Sequence, residues 1–574
     1  MIKLIKNIKG IEWLFALVAM GLVVFNSWLD MEIIKCTGSL VGLITSGTAT
    51  TQGLWQIAGK MIGLAVGAFG VNFVSNVVAS YTSTHIAKRL RREMFAKVNS
   101  FSMEEINRFS TASLITRSTN DITQISQTLF MAMRMAVRAP SMAVFSLINV
   151  VNVNLTLSWV TAVALAIMFA LLIVMYFVVV PKFTEIQQKT DRINLVTREN
   201  ITGLRVVRAY NAEQIELDKF ENANDDLTKT RLFVSRTTAI MSPSMNLIMN
   251  GMYIAIFWIG AYLVGKNIVG YQDLTVFTQY SMHILMSFMI ISILFIMLPR
   301  GATSAKRITE ILSTQNKIVD GVVESTERLG KIEFKNVSFA YPGSEECLLK
   351  NINLTIKKGE TVAFIGSTGS GKSTLINLIP RFYDVTDGEI IIDGVNVKDY
   401  KLATLYEKLG FVPQKALLFK GTIKENILYG KRDATDEEIA KALDIAQANF
   451  VYDLESGLEY QLAQGGYNVS GGQRQRLSIA RAIVGNPEFY IFDDSFSALD
   501  YKTDRALREK LKTVTQDSTT LIVAQRIGTI MDADKIVVLD KGEIVGLGKH
   551  KELLKNCKVY KEIALSQLSK EELE

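Results

Sequence analysis

Cysteine and histidine are scarce, with three of each in 574 residues. Cys36, Cys347 and Cys557 fall at no metal or disulfide spacing, and His85, His283 and His550 form no cluster. A metal centre built from protein side chains is therefore not expected. Also missing is any Lys/Arg-rich block or basic stripe with interleaved aromatics, so the net charge of +7 leaves no nucleic-acid footprint and suits a membrane-facing chain better.

What is present is unevenly spread. Nearly all long apolar runs precede residue 300, and the remainder has the composition of a soluble α/β domain. Six segments, at 12–34, 54–80, 129–152, 157–180, 239–264 and 275–299, are apolar over the roughly 20 residues a bilayer crossing needs. The run 13–29 is too long for a secretory signal and predicts a retained anchor.

Lys and Arg number eight in 81–135 and ten in 181–238. The connections 30–53 and 265–274 hold only Lys35 and Lys266, while Lys3, Lys6 and Lys9 precede the first span. This asymmetry predicts cytoplasmic termini. The two basic connections are poor in Gly and Pro, and AKRLRREMFAKV and TDRINLVTRENITGLRVV carry apolar residues at helical spacing. Four membrane helices prolonged into the cytoplasm and joined by short elements are expected. Asn72, Asn76, Gln279 and Arg138 are candidates to line a cavity, since intramembrane polar groups avoid lipid. Met241, Met245, Met249, Met252, Met282, Met286 and Met289 recur at helical spacing. They suit either a promiscuous apolar surface or ordinary packing.

In the second half, GETVAFIGSTGSGKSTLINLI reads as strand, glycine-rich turn and helix. Gly366, Ser367, Thr368, Gly369, Ser370, Gly371, Lys372 and Ser373 fit the phosphate-loop pattern, followed by Thr374. Glycines let backbone N–H groups converge on phosphates; Lys372 reaches the β- and γ-phosphates of ATP and Ser373 offers its hydroxyl to Mg²⁺. About 120 residues later FYIFDD ends a buried strand in Asp493, facing the Mg²⁺, and Asp494. A helix N-cap is the plainer reading of Asp493, but it leaves the strand unexplained.

NVSGGQ, at 468–473, resembles the signature of ATP-binding cassette (ABC) proteins, with Ser470, Gly471, Gly472 and Gln473 intact. FAYPG contains Tyr341, similar to the family's adenine-stacking aromatic. FVPQKALLF contains Gln414, similar to its Mg²⁺-contacting glutamine. Ser497, Ala498, Leu499 and Asp500 resemble the loop that crosses the cassette dimer. LITRSTNDI (114–122) and ENITGLRVVRAYNAE (199–213) resemble the two cytoplasmic loops whose tips dock on cassettes. The resemblance, to exporter half-transporters, covers essentially the whole chain. It implies a six-helix membrane domain over 1–313, a linker over 314–330 and an α/β cassette over 331–574. Two cassettes are expected to close on two ATP molecules, each held between one chain's phosphate loop and the other's signature.

Three positions depart from that pattern. Asp494 stands where the family carries a catalytic glutamate, Gln525 where it carries a switch histidine, and AQGGYN (463–468) replaces the run before the signature. These departures resemble one half of the heterodimeric multidrug exporters. They imply a weakened ATP site here, and an intact signature that completes the site of a second half-transporter chain. Small amphipathic compounds are the expected cargo and the cell membrane the expected location. A homodimeric lipid or peptide exporter, and a regulatory ATP-binding subunit, remain as alternatives.

Overall fold

The computed structural model describes residues 10–568. Lys3, Lys6 and Lys9, and the charged end beyond Leu568 that the sequence suggests is a solvated tail, lie outside the described residues. Contacts divide the chain into two compact units: Met1–Asn99 with Ala112–Thr314, and Ser100–Thr111 with Gln315–Glu574.

The first unit is built on α1 (Gly10–Thr45), α2 (Thr51–Asn99), α4 (Ile122–Val153), α5 (Leu155–Thr202), α7 (Glu213–Gly265) and α8 (Tyr271–Ser313). All six are long and apolar enough to span a membrane. Helices α2, α5 and α7 have 49, 48 and 53 residues. At 1.5 Å per residue each is about 70–80 Å long, more than twice a hydrocarbon core of about 30 Å. The excess forms the expected prolongations. Large apolar side chains such as Phe69, Phe177 and Trp258 stay exposed on these helices, as lipid contact requires.

Inside the bundle Ser75 Oγ donates to the Ala19 carbonyl at 3.1 Å, and Thr161 and Ser281 hydroxyls meet at 2.8 Å. Gly301 of α8 approaches α4 so closely that a Cβ there would stand 2.4 Å from Thr128 Oγ1. Met245 and Met252 are buried, and Met241, Met249 and Met282 pack against the same core, whereas Met286 is exposed. Packing is thus the role the bundle gives most of that row.

The two short elements between the long helices differ. Between α5 and α7 lies α6 (Leu204–Ala209), with no buried side chain and Ile201, Val206 and Tyr210 exposed. The stretch 114–122, expected to carry a docking tip, instead belongs to the helical unit. Its π turn, Arg117–Asp121, is tied to α8: Asp121 accepts from Ser304 at 3.0 Å and pairs with Arg307 at 3.2 Å, and Arg117 pairs with Glu310 at 2.8 Å. The element that groups with the cassette comes earlier, as α3 (Met103–Phe109). Ser102 and Glu105 form its capping box. Glu105 accepts from the Lys317 amide at 3.1 Å, and Asn107 donates to the Tyr383 hydroxyl at 2.9 Å.

In the second unit β1 (Ile332–Phe339), β2 (Leu349–Ile356), β4 (Asp387–Ile392) and β5 (Val395–Asn396) form an antiparallel sheet in the order β2-β1-β4-β5. A six-stranded sheet runs β10-β9-β3-β8-β7-β6, from β3 (Thr361–Gly366), β6 (Leu409–Val412), β7 (Phe489–Asp493), β8 (Thr519–Val523), β9 (Lys535–Asp540) and β10 (Glu543–Gly548). It is parallel except for β10. Strands β7 and β8 are buried at every position, as a sheet covered on both faces demands. Residues 315–330 run along this unit: Gly321 N bonds to the Tyr400 carbonyl at 3.0 Å, and Arg381 to the Val319 carbonyl at 2.9 Å.

Candidate nucleotide site

Register assembles the site. Val523 pairs with both Phe364 and Asp493, and Val412 with Phe492. The carboxyl ends of β3, β8, β7 and β6 therefore lie side by side. Each strand delivers its loop to the same edge, where open α/β sheets bind ligands. From that edge come the phosphate loop, Gln525, the two aspartates and Gln414.

The loop after β3 turns through Gly369 and Gly371, at φ of 83° and 98°, before α9 (Lys372–Asn377) begins. Both angles favour glycine, and a Cβ on Gly371 would meet Leu349 Cδ2 at 2.6 Å. Lys372 Nζ arches over the loop and donates to the Gly366 and Ser367 carbonyls at 2.9 and 2.7 Å. Burial holds its pKa below the usual lysine value, opposed by the charges of Asp494 and Asp493. Ser373 Oγ donates to Asp493 Oδ1 at 2.7 Å. Burial pushes Asp493 above the usual carboxylate value, with Ser373 pulling the other way and neighbouring Asp494 adding to the rise. A hydroxyl paired with a buried carboxylate beside a lysine fits Mg²⁺ and phosphate oxygens, since a cation relieves the cost of the buried charge. Tyr341 shares a 3.0 Å hydrogen bond with Thr374 and stands edge-on to Phe339 and Tyr383.

Asp494 has φ of 47°, a left-handed conformation that aspartate tolerates better than most side chains. Its Oδ2 accepts from Gln525 Nε2 at 2.7 Å and from Gln414 Nε2 at 3.4 Å. Burial raises its pKa, while bonds from Gln414, Ser497 and Gln525 lower it. Gln525 is held in turn by Gln567, which donates to its carbonyl at 2.7 Å and accepts from Ile527 N at 2.8 Å. Gln567 carries no motif, and only the folded contact identifies it.

The signature residues are elsewhere. Ser470 caps α10 (Gly471–Ile483), its Oγ accepting from Gln473 N at 3.2 Å while Gln473 Oε1 accepts from Ser470 N at 2.8 Å. A Cβ on Gly472 would lie 3.4 Å from the Ala498 carbonyl, so signature and 497–500 turn are neighbours in one chain. In that turn Ser497 Oγ donates to the Asp494 carbonyl at 2.9 Å, Leu499 is buried, and Asp500 caps α11 (Tyr501–Val514). The altered 463–468 segment is braced internally: Asn468 accepts from Ala463 N at 2.9 Å, and Arg474 donates to the Gly466 carbonyl at 3.1 Å.

A phosphate loop and two acidic residues at one sheet edge, on a chain with six membrane-length helices, define a membrane-embedded nucleotide-driven machine. Two family models match, the ABC transporter transmembrane region over residues 16–289 and the ABC transporter domain over 349–497. An uncharacterized ABC transporter ATP-binding protein of Mycobacterium tuberculosis is 38% identical over 542 residues, 92% of this chain and 91% of that one. A putative multidrug export ATP-binding/permease protein of Staphylococcus aureus is 32% identical over 563 residues, 96% of each chain. A bacterial Atm1-family ABC exporter, solved with ATP bound, superimposes with a TM-score of 0.79 at 22% identity, over 96% of this chain and 97% of that one. The chain belongs to the ABC transporter family: a multi-pass membrane protein of exporter fold with an α/β nucleotide-binding domain.

Proposed function

We propose that this chain exports amphipathic or apolar compounds from the cell as one half of a heterodimer, and that its own ATP site is the weak one. The hydrogen bond between Asp494 and Gln525, 2.7 Å long, carries the reading. One methylene shorter than glutamate, Asp494 falls short by about 1.5 Å. A general base must sit within hydrogen-bond reach of the proton it takes, and an error of about 1 Å costs around a hundredfold in rate. Burial raises the basicity of Asp494, so reach limits it, not proton affinity. Gln525 donates a neutral amide proton and carries no charge with which to stabilise a developing anion.

Lys372, Ser373, Asp493 and Gln414 would hold ATP and Mg²⁺, and the ion would neutralise phosphate charge. Ser470, Gly471, Gly472 and Gln473 form a capped helix start whose bonds are local, which suits a surface offered to another chain. The exposed Ile201, Val206 and Tyr210 around α6 likewise suit contact with a partner's cassette. Eight and ten basic residues in the two long connections support cytoplasmic termini. The relative named for multidrug export supports the class of cargo.

The test is ATP turnover in lipid nanodiscs, comparing this chain alone with the chain co-expressed with the product of an adjacent half-transporter gene. Near-silence alone and turnover by the pair sustain the heterodimer. Exporter-like turnover by the chain alone establishes a homodimer with a competent Asp494.

A further inference from the structure

Four of the six long helices line a cavity of about 110 Å³ whose wall is mostly apolar but carries several polar side chains. Val23 and Asn26 of α1 line it, with Asn72, Ser75 and Asn76 of α2, Arg134, Met135 and Arg138 of α4, and Ile290 of α8. Two arginines and three asparagines converging inside a membrane bundle are costly to keep there, and polar groups so placed mark ligand paths by default. Here they are also incompletely paired. Asn26 is only 5% exposed, yet its Oδ1 has no hydrogen-bond partner among the described residues. Asn76 Oδ1 and Arg138 Nε are likewise buried and unpartnered, although Asn76 Nδ2 reaches Asn72 at 2.6 Å.

The charge balance gives the ligand's sign. Arg138 has Asp30 at 3.4 Å. Arg134 lies over the Phe130 ring at 5.1 Å, and none of the ion pairs among the described residues includes it. The cavity therefore carries one uncompensated cation, with donors on the arginines and open acceptors on Asn26 and Asn76. A complementary head group joins an anionic oxygen to a hydroxyl or N–H donor. Val23, Met135 and Ile290 supply apolar wall for the carbon adjoining it.

We infer that this cavity binds the anionic head group of an amphiphile, with Arg134 as the charge-matching residue and Asn26 and Asn76 accepting from the head group's donor. The inference rests on the export reading for its purpose, since the bound amphiphile would be cargo. A transported solute and an anionic membrane lipid share the required chemistry, and the experiment separates them.

Radiolabelled taurocholate, which joins a sulfonate to an amide N–H, is the probe, with the full-length chain in phosphatidylcholine nanodiscs and scintillation proximity as readout. Saturable binding is expected. Arg134→Gln weakens it about tenfold, as loss of a charge-assisted bond implies, and Arg134→Lys restores most of it, which a purely structural role for Arg134 would not predict. If phosphatidylglycerol in the disc displaces the probe, the site takes a lipid head group; if the probe stays, it takes a free amphiphile. Absence of saturable binding, or equal binding by Arg134→Gln with an unchanged unfolding midpoint, overturns the inference. ATP-driven uptake of the cation rhodamine 6G into inverted vesicles that hold the chain co-expressed with the adjacent half-transporter keeps the two readings apart. Uptake without taurocholate binding removes the anion site alone, and Arg134-dependent binding without uptake of either compound removes the export reading alone.

Discussion

Gln525 Nε2 donates to Asp494 Oδ2 over 2.7 Å, so the two residues on which the proposed weakening of the site rests are bonded to each other. They sit one residue past β7 and two past β8, strands paired in register at Asp493 and Val523. A short carboxylate and an amide are mutually fitted here. Changing one leaves the other mismatched.

That coupling makes the repair a double one. Asp494→Glu alone gains reach but keeps an uncharged neighbour, and Gln525→His alone faces a carboxylate set too far back. The pair Asp494→Glu/Gln525→His is expected to raise steady-state ATP turnover of the purified chain by about tenfold or more, and by more than the product of the single changes. Additive or absent gains would remove the dyad as the cause of the weak turnover proposed for this site.

Gln567 grips the loop behind Gln525 from both sides, through the Gln525 carbonyl and the Ile527 amide. Gln567→Ala removes both bonds, each worth about 1 kcal/mol net. Faster amide exchange over 524–530, with the phosphate loop unchanged, is the expected signature. Unaltered exchange would mean that the loop is held by its own packing.

The phosphate loop, both aspartates and the signature were legible because their chemistry fixes residue type and spacing locally. The six spans were legible because bilayer thickness fixes length. Gln567 left no signal, since a glutamine past the last strand acquires meaning only when the fold brings it to Gln525. Nothing local says that α3, rather than the 114–122 stretch, groups with the cassette. That choice is made by Lys317 and Tyr383, over 200 residues away in sequence.

Asp493 gives a pH dependence. Burial raises its folded pKa above the ordinary 3.8, so the folded state binds more protons than the unfolded one in the window just above that value. Its ionisation thus costs stability as pH rises through the window. Without nucleotide or Mg²⁺, Asp493→Asn is expected to raise the cassette's unfolding midpoint at pH 8, with the gain shrinking toward pH 4. A gain that grew on acidification would contradict the sign.

Lys408 offers the sharpest stability test. It is almost wholly buried, its Nζ 2.6 Å from Asp393 and 2.7 Å from Glu488. Burial opposes its charge, but the bonds to Asp393 and Glu488 outweigh it and raise its pKa. The second oxygens of both carboxylates accept from the Lys331 and Gly330 amides at 3.1 and 2.8 Å, so the network also anchors the chain entering β1. Lys408→Met strands two buried carboxylates and is expected to cost about 3–5 kcal/mol, read as a lower unfolding midpoint of the cassette. Adding Asp393→Asn and Glu488→Gln removes those charges and should recover much of the loss, because charge isolation, not lost volume, is the damage. If the triple variant is no more stable than Lys408→Met, the lysine acts through its packing instead.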